Sequence, residues 1–336
     1  MTDSDRSQKI IASGVRPTGD IHLGNYAGAV ANWIALQDDY RCYYFIADYH
    51  ALTTQYQDTS RVRENTLNML ADFLACGLDP DKTTLFLQSS VPEHAELSLL
   101  LSMLTPVSWL ERNPIYKDQI HQLENVEIRN LGFLGYPCLM AADILIYAAD
   151  YVPVGEDQLP HLEITREIAR RFNYLYAPVF PEPEALLTKS KILPGTDGRK
   201  MSKSYSNVIC FSDPPEAVQK KVMSMVTDPA RIRKDDPGHP EVCTVFAMHR
   251  EFNADEVEAI EADCRAGKIG CVACKRRCAK KLAEVHDPIH ERRTKLLEKP
   301  DDLIDLLEAG AEKARPRARR ILAESREAMQ IGFLEA

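Results

Sequence analysis

No stretch of this sequence approaches the roughly 18 uninterrupted apolar residues that a helix needs to cross a bilayer, so nothing is expected to span a membrane. The first residues, Met1 to Lys9, are polar and acidic and lack an apolar run after a basic one. Neither a secretory signal nor a transit peptide is expected there, and the chain is expected in the cytoplasm. Internal repeats and low-complexity tracts are missing too, which leaves a globular chain of unique segments. An excess of positive charge is also lacking. The formal net charge of -9 argues against a protein that coats nucleic acid indiscriminately, because such binding rests on many phosphate contacts. No DNA partner is expected, and any polyanion must meet a local basic surface.

What is present is a chain of 336 residues, long enough for two domains that each bury a sizeable interior. Its 45% apolar and 27% charged residues are those of ordinary globular proteins. The nine cysteines are an odd number. Cys42, Cys76, Cys138 and Cys210 each lie singly in apolar segments, where a thiol behaves as a small hydrophobe, and are expected in the core. Cys243, Cys264, Cys271, Cys274 and Cys278 crowd the last third, which in a reducing compartment suggests metal rather than disulfides.

The first two hundred residues alternate short β-rich runs with helix-length amphipathic runs, the α/β pattern of a parallel sheet wrapped by helices. Strands are expected at Ile10 to Ser13, Cys42 to Ala47 and Thr84 to Leu87. Helices are expected at about Leu23 to Leu36, at Ser60 to Ala75 with Ser60 as N-cap, at Tyr136 to Tyr147 and at Gln158 to Asn173. Residues 178 to 194 are proline-rich, and Gly195 to Asn207 reads as a polar mobile loop after which a boundary is expected. Beyond Pro214 the patterns are mostly helical. Arg265 to Lys295 holds ten Lys or Arg against three acids.

Three segments carry chemistry. In the first, Gly14 to Gly19 precede His22-Leu23-Gly24-Asn25 at a helix start. Glycines let backbone approach a ligand, and free N-H groups at a helix N-terminus favour phosphate. His22 and Asn25 can donate from the first turn, although the segment taken alone reads equally well as a capped glycine turn. In the second, Lys200-Met201-Ser202-Lys203-Ser204 places two lysines three apart on a movable loop. They can close over a triphosphate and stabilise charge on departing pyrophosphate, where a lone lysine pair is usually a solvated loop. In the third, Tyr136 to Leu145 is followed by Val152-Pro153-Val154-Gly155-Glu156-Asp157-Gln158 and His161. On a helix Met140 and Asp143 share a face, so an apolar wall and one carboxylate point together, a setting that suits an indole. Asp143 can accept the indole N-H, and a site that satisfies one buried hydrogen bond rejects analogues lacking the group. A lone aspartate would more often cap a helix or pair with a base.

These segments, in this order and over nearly the full chain, resemble the tryptophanyl-tRNA synthetases, a branch of the class I aminoacyl-tRNA synthetases. The resemblance implies a Rossmann-type parallel-sheet catalytic domain with a helical insertion and dimer interface over 1–207. It further implies an all-helical anticodon-binding domain over 208–310 and a C-terminal helix over 311–336 that packs back. The implied activity is tryptophan–tRNA ligation, through tryptophanyl-AMP and then transfer to the terminal ribose of tRNA(Trp), in a homodimer. A tyrosyl-type enzyme and a tRNA-binding regulatory paralogue without synthetase activity are the alternatives.

By the same comparison His22, Asn25, Lys200 and Lys203 are catalytic. ATP, carried with Mg2+, is met by Arg16, Pro17, Thr18, Gly24, Asn25, Gly155, Glu156, Asp157, Ile192 and the loop Lys200, Met201, Ser202, Lys203 and Ser204. Tryptophan is met by Asp143, Met140, Gly14, Ala47, His50, Val152, Val154 and Gln158. The chain departs from many relatives in carrying Arg16 where they have glutamine, and Asn25 replaces the second histidine of the general class I motif, as is ordinary in this branch. Cys243, Cys264, Cys271 and Cys274, spaced C-x20-C-x6-C-x2-C, suit either structural zinc or an iron-sulfur cluster. Because the pattern resembles the subgroup with a C-terminal [4Fe-4S] cluster, that cluster is expected ahead of Zn2+, with Cys278 simply buried. The nearby Lys268, Lys275, Arg276, Arg277, Lys280 and Lys281 are expected to meet the tRNA anticodon region.

Overall fold

The computed structural model describes residues 8–117, 130–187 and 193–332. Five parallel strands form one sheet in the order β3-β2-β1-β4-β5. They are β1 (Ile10–Val15), β2 (Arg41–Ile46), β3 (Thr83–Leu87), β4 (Tyr151–Val154) and β5 (Glu184–Leu187). Strand alternation sorts their side chains between two cores. Ile11, Cys42, Tyr44, Ile46 and Leu85 face one, with Trp33 and Phe73, and Ala12, Tyr43, Phe45 and Phe86 face the other, with Leu97, Leu145 and Phe172. Sequence order reverses between β1 and β4, and in open parallel sheets the crevice outside the strand ends at such a switch point is where ligands bind.

The expected strands and helices are present with small shifts of boundary. The long helix expected over Leu23 to Leu36 instead runs as a short α-turn, Leu23–Asn25, a wide π-turn, Tyr26–Val30, and an α-helix, Ala31–Leu36. Ser60 is not the N-cap: the helix is Val62–Cys76 and its cap position is Arg61, because the Asp58 side chain takes the Ser60 N-H at 3.0 Å in a turn of its own. Strands β4 and β5 carried no clear sequence signal. Each has four residues, and Pro153 within β4 reads as a breaker.

The helices Glu93–Leu104, Val107–Glu111 and Leu131–Leu145 lie between β3 and β4 in the chain. After β5 the chain is helical: Pro215–Ser224, Thr244–Phe252, Val257–Arg265, Cys271–Leu297 and Pro300–Ala328. Residue 310, an expected boundary, falls inside that last helix. The helix packs back on the sheet, covering the edge strand β3 with Leu303 and Leu307 in one core and Ala311, Ala314, Ala318 and Ile321 in the other. Gly310 is what permits the approach, since a Cβ there would lie 1.7 Å from the Leu85 carbonyl oxygen. The helix Cys271–Leu297 is tied to the helix Val62–Cys76 and to the end of the glycine turn by Arg293, which donates to Asp72 at 2.6 Å and to Asp20 at 3.0 Å. Among the described residues no helix is long and apolar enough to cross a membrane.

Candidate active site

A cavity of about 350 Å3 opens at the carboxyl ends of β1 and β4, at the switch point of the sheet. It is lined by Gly14, Ala47, His50, Met140, Asp143, Val152, Val154 and Gln158, the eight residues expected around an amino acid, and by Arg16 and Gly155 from the set expected around ATP. Gly14 must be glycine: a Cβ would stand 2.1 Å from the Phe45 ring, so any side chain would push that aromatic out of the wall. Arg16 reaches into the same cavity, where burial lowers its pKa and the nearby Tyr136 raises it.

Asp143 is the one carboxylate in the cavity lining, beside the apolar Met140, Val152 and Val154. It is 2% exposed, and its Oδ1 accepts from Gln88 Nε2 and His94 Nδ1, both at 2.7 Å, while Oδ2 accepts from His50 Nε2 at 2.8 Å. Burial alone would raise its pKa, but the hydrogen bonds from His50 and His94 hold it below the usual carboxylate value. A carboxylate offers about four acceptor directions, so one remains on Oδ2. Across the cavity, His161 is 4% exposed, with Asn113 Nδ2 and the Tyr136 hydroxyl each 2.9 Å from a ring nitrogen. Burial pulls its pKa to about 4, so the ring is neutral at pH 7.

The polar loop touches the glycine turn, whose Gly14, Val15 and Arg16 line the cavity. His22 is the N-cap of the Leu23–Asn25 turn: its Nδ1 accepts the Asn25 N-H at 3.2 Å, and the Asn25 side chain accepts the His22 N-H. The capped turn and the ligand-facing motif are thus the same structure. Because Nδ1 accepts, the imidazole proton sits on Nε2 and is free to donate. Burial, helped by the charges of Lys203 and Lys200, lowers the His22 pKa to about 4.

Lys203 Nζ donates to the Thr18 carbonyl oxygen at 3.0 Å, and burial lowers its pKa. The loop is held by Met201, buried with its N-H on the Leu193 carbonyl, and by Asn207, which accepts the Ser202 N-H at 2.8 Å and donates to Asp197 at 2.7 Å. Pro17, Thr18 and Gly24 lie in or beside the glycine turn, and Glu156 and Asp157 in a single helical turn after Gly155. Ser204 lies in the turn Lys203–Tyr205, and Ile192 lies outside the described residues.

Sequence reasoning missed Gln88, His94 and Tyr147, the partners behind Asp143, and Asn113 behind His161. Gln88 and His94 flank Ser89-Ser90-Val91-Pro92-Glu93, where nothing in the local pattern marks them.

Among the four single cysteines, Cys42, Cys138 and Cys210 are buried and Cys76 is half-buried against the core. In the C-terminal helices Cys274 is buried, and after burial the neighbouring Cys243, Cys264 and Cys271 all help to raise its pKa, so the four thiols stand within electrostatic reach of one another. Arg231 Nη1 lies 3.9 Å from the sulfurs of both Cys264 and Cys271. A Cβ on Gly238 would fall 2.5 Å from the Cys264 sulfur. Even so, among the described residues no three His, Cys, Asp or Glu groups converge closely enough to hold a metal ion. Cys278 is 2% exposed, as expected of a buried spare. Lys268, Arg276 and Lys280 are exposed, whereas Lys275 donates to the Met223 carbonyl and Arg277 pairs with Glu256 at 3.8 Å.

Residues 4–287 match the family of tRNA synthetases class I (W and Y). The tryptophan–tRNA ligase of Thermotoga maritima is 49% identical over 96% of this chain and 99% of its own length, and that of Aquifex aeolicus is 46% identical over the same shares. Among solved structures, the tryptophanyl-tRNA synthetase of Campylobacter jejuni complexed with ADP and tryptophan superposes with a TM-score of 0.87 at 35% identity, over 96% of this chain and all of its own. The tyrosyl-tRNA synthetase of Archaeoglobus fulgidus, 22% identical over 86% of this chain and 91% of its own, shares the fold with a TM-score of 0.67.

Proposed function

The chain belongs to the class I tRNA synthetases of the tryptophan and tyrosine type, and we infer that it is a tryptophan–tRNA ligase. It activates tryptophan with ATP to tryptophanyl-AMP and pyrophosphate, then transfers tryptophan to the 3'-terminal ribose of tRNA(Trp). The observation that carries the specificity is Asp143, a buried carboxylate beside the apolar Met140, Val152 and Val154 with one acceptor direction left for an indole N-H. A tyrosyl activity is not favoured, since the tyrosyl neighbour is far less similar than the tryptophan enzymes. Nor is a paralogue without activity, because the two signature segments touch one another.

In this reading the indole lies between Gly14, Met140, Val152 and Val154 with its N-H on Asp143. Tyr136 and Gln158 orient the amino-acid backbone so that its carboxylate attacks the α-phosphate in line, with no covalent enzyme intermediate. ATP, bound with its Mg2+, lies along Arg16 to Thr18, Gly24 and Asn25, facing Gly155 to Asp157. The neutral His22 donates from Nε2, and Lys200 and Lys203 neutralise charge as pyrophosphate leaves. The helical region after residue 207 takes the anticodon arm, with the exposed Lys268, Arg276 and Lys280 on its surface.

A [4Fe-4S] cluster on Cys243, Cys264, Cys271 and Cys274 is the preferred reading of the thiol quartet, with zinc as the alternative. Its support is the mutual influence of the four thiols, the Arg231 guanidinium beside the sulfurs of Cys264 and Cys271, and the space that Gly238 leaves for the Cys264 sulfur. Bound there, the group would supply folding energy to the helical region rather than redox chemistry. A second copy of the chain is the proposed occupant of an apolar groove of about 840 Å3 along the insertion helices. Around it Leu99, Met103 and Leu131 are 55%, 71% and 83% exposed. Such a homodimer would work in the cytoplasm, with tRNA.

The test is ATP–pyrophosphate exchange with tryptophan and with tyrosine on anaerobically purified protein, with iron and zinc analysis of the same sample. Exchange with tryptophan alone supports the assignment, and exchange with tyrosine overturns it. About four irons per chain, the complement of a [4Fe-4S] centre, supports the cluster, and zinc or no metal removes it.

A further inference from the structure

Behind Asp143 the hydrogen bonds continue away from the cavity. His94, fully buried, bonds Asp143 Oδ1 through Nδ1 and the Tyr147 hydroxyl through Nε2, each at 2.7 Å. Tyr147 is itself fully buried and stacks on Tyr43 with ring centroids 4.4 Å apart, and its carbonyl oxygen accepts from Arg317 Nε of the last helix at 2.5 Å. An ionised carboxylate can only accept, so Nδ1 of His94 carries a proton. The phenol keeps its own proton, since burial and then the Asp143 charge raise its pKa well above the ordinary value. A phenol that donates to Nε2 holds the imidazole in the tautomer that faces Asp143 with an N-H.

We propose that Tyr147 and His94 are positioning residues for substrate specificity: the phenol locks the His94 tautomer, which with Gln88 saturates Asp143 Oδ1 and leaves Oδ2 as the only acceptor for the indole N-H. Without the phenol proton, Nε2 is an unsatisfied acceptor in a dry site. The ring is then no longer held in one tautomer, and a shift of its proton to Nε2 turns a lone pair on the carboxylate. That alters the aim of Asp143 without altering the shape of the pocket. The inference rests on the reading of Asp143 as the indole N-H acceptor.

The discriminating substrate is the tryptophan analogue with sulfur in place of the indole N-H, which keeps the shape and lacks the donor. The readout is the ratio of kcat/KM for tryptophan to that for the analogue, in full-length wild type and Tyr147→Phe. In wild type the ratio is expected to be large. In Tyr147→Phe it should fall by about tenfold or more, the worth of one misaligned buried hydrogen bond, through the KM for tryptophan, with the KM for ATP unchanged. In a His94→Asn background, where the amide turns its own N-H to the carboxylate, Tyr147→Phe should lower the ratio no further. A wild-type ratio near one sinks the Asp143 assignment itself. A large wild-type ratio that Tyr147→Phe leaves untouched, or lowers equally in both backgrounds, overturns the proposal alone. Should Tyr147→Phe fail to fold, His94→Asn against His94→Leu decides. A ratio kept by Asn and lost by Leu supports the proposal, and equal loss in both overturns it.

Discussion

Lys203 Nζ rests 3.0 Å from the carbonyl oxygen of Thr18, a residue 185 positions earlier, so the polar loop touches the glycine turn. In the proposed reading that contact places an ammonium beside the triphosphate of ATP. Lys203→Ala removes one preorganised charge and should lower tryptophan-dependent exchange by about two to three orders of magnitude. The thermal midpoint should stay near wild type, because the lysine's bond to the Thr18 carbonyl oxygen lies at a partly open site. Exchange within tenfold of wild type would remove the lysine from the reaction.

Asp143→Ala strands the buried donors of Gln88 and His94 and the half-buried one of His50. At about 1–3 kcal/mol for each group left unsatisfied, the loss of stability should be several kcal/mol, read as a lowered urea midpoint. Asp143→Asn keeps one acceptor oxygen and should lose less stability than Ala while still raising the KM for tryptophan.

The neutral, buried His161 makes stability depend on pH. Its folded pKa lies near 4 against an ordinary 6.5, with burial as the main cause. Between those values the unfolded chain takes up a proton that the folded chain refuses, so stability falls as pH falls through the window. From pH 7 to 5 the loss should be about 2 kcal/mol, and His161→Gln, though less stable at both, should show a slope shallower by that amount in urea titrations. An unchanged slope would mean that the ring is charged in the fold.

Gly310→Ala tests the return of the last helix. With a Cβ only 1.7 Å from the Leu85 carbonyl, the helix must lift from the edge strand, at a cost of about 3 kcal/mol or more. Differential scanning calorimetry against Gly135→Ala, a helical glycine with open space around it, isolates the packing from helix propensity.

Arg293→Met breaks an ion pair in which Asp72 is fully buried and also accepts the Ile21 N-H at 2.8 Å, directly beside His22. Leaving that carboxylate unpaired should cost about 3–5 kcal/mol. The KM for ATP should rise as well, since Asp72 anchors Ile21, between the glycine turn and His22. A change in stability with no change in that KM would separate the anchor from the site.

The parallel sheet and the three chemical segments were legible in the sequence, whereas most of the eight residues that line the cavity were named only through the family resemblance. Strand hydrophobicity, glycine turns and the spacing of Met140 from Asp143 are local signals, and local steric rules read them without knowledge of the fold. What lay beyond reach was whatever depends on distant segments meeting. Pro153 hid β4, and a single π-turn interrupts a helix whose periodicity looked continuous. The capping of Asp143 by Gln88 and His94, 55 and 49 residues away, needed the insertion helices to close over the sheet. So did the docking of Lys203 on Thr18 and the seating of Gly310 against Leu85. Periodicity states which face of a segment is buried, but a hydrogen bond needs a position good to a fraction of an ångström, and only the packed chain supplies that.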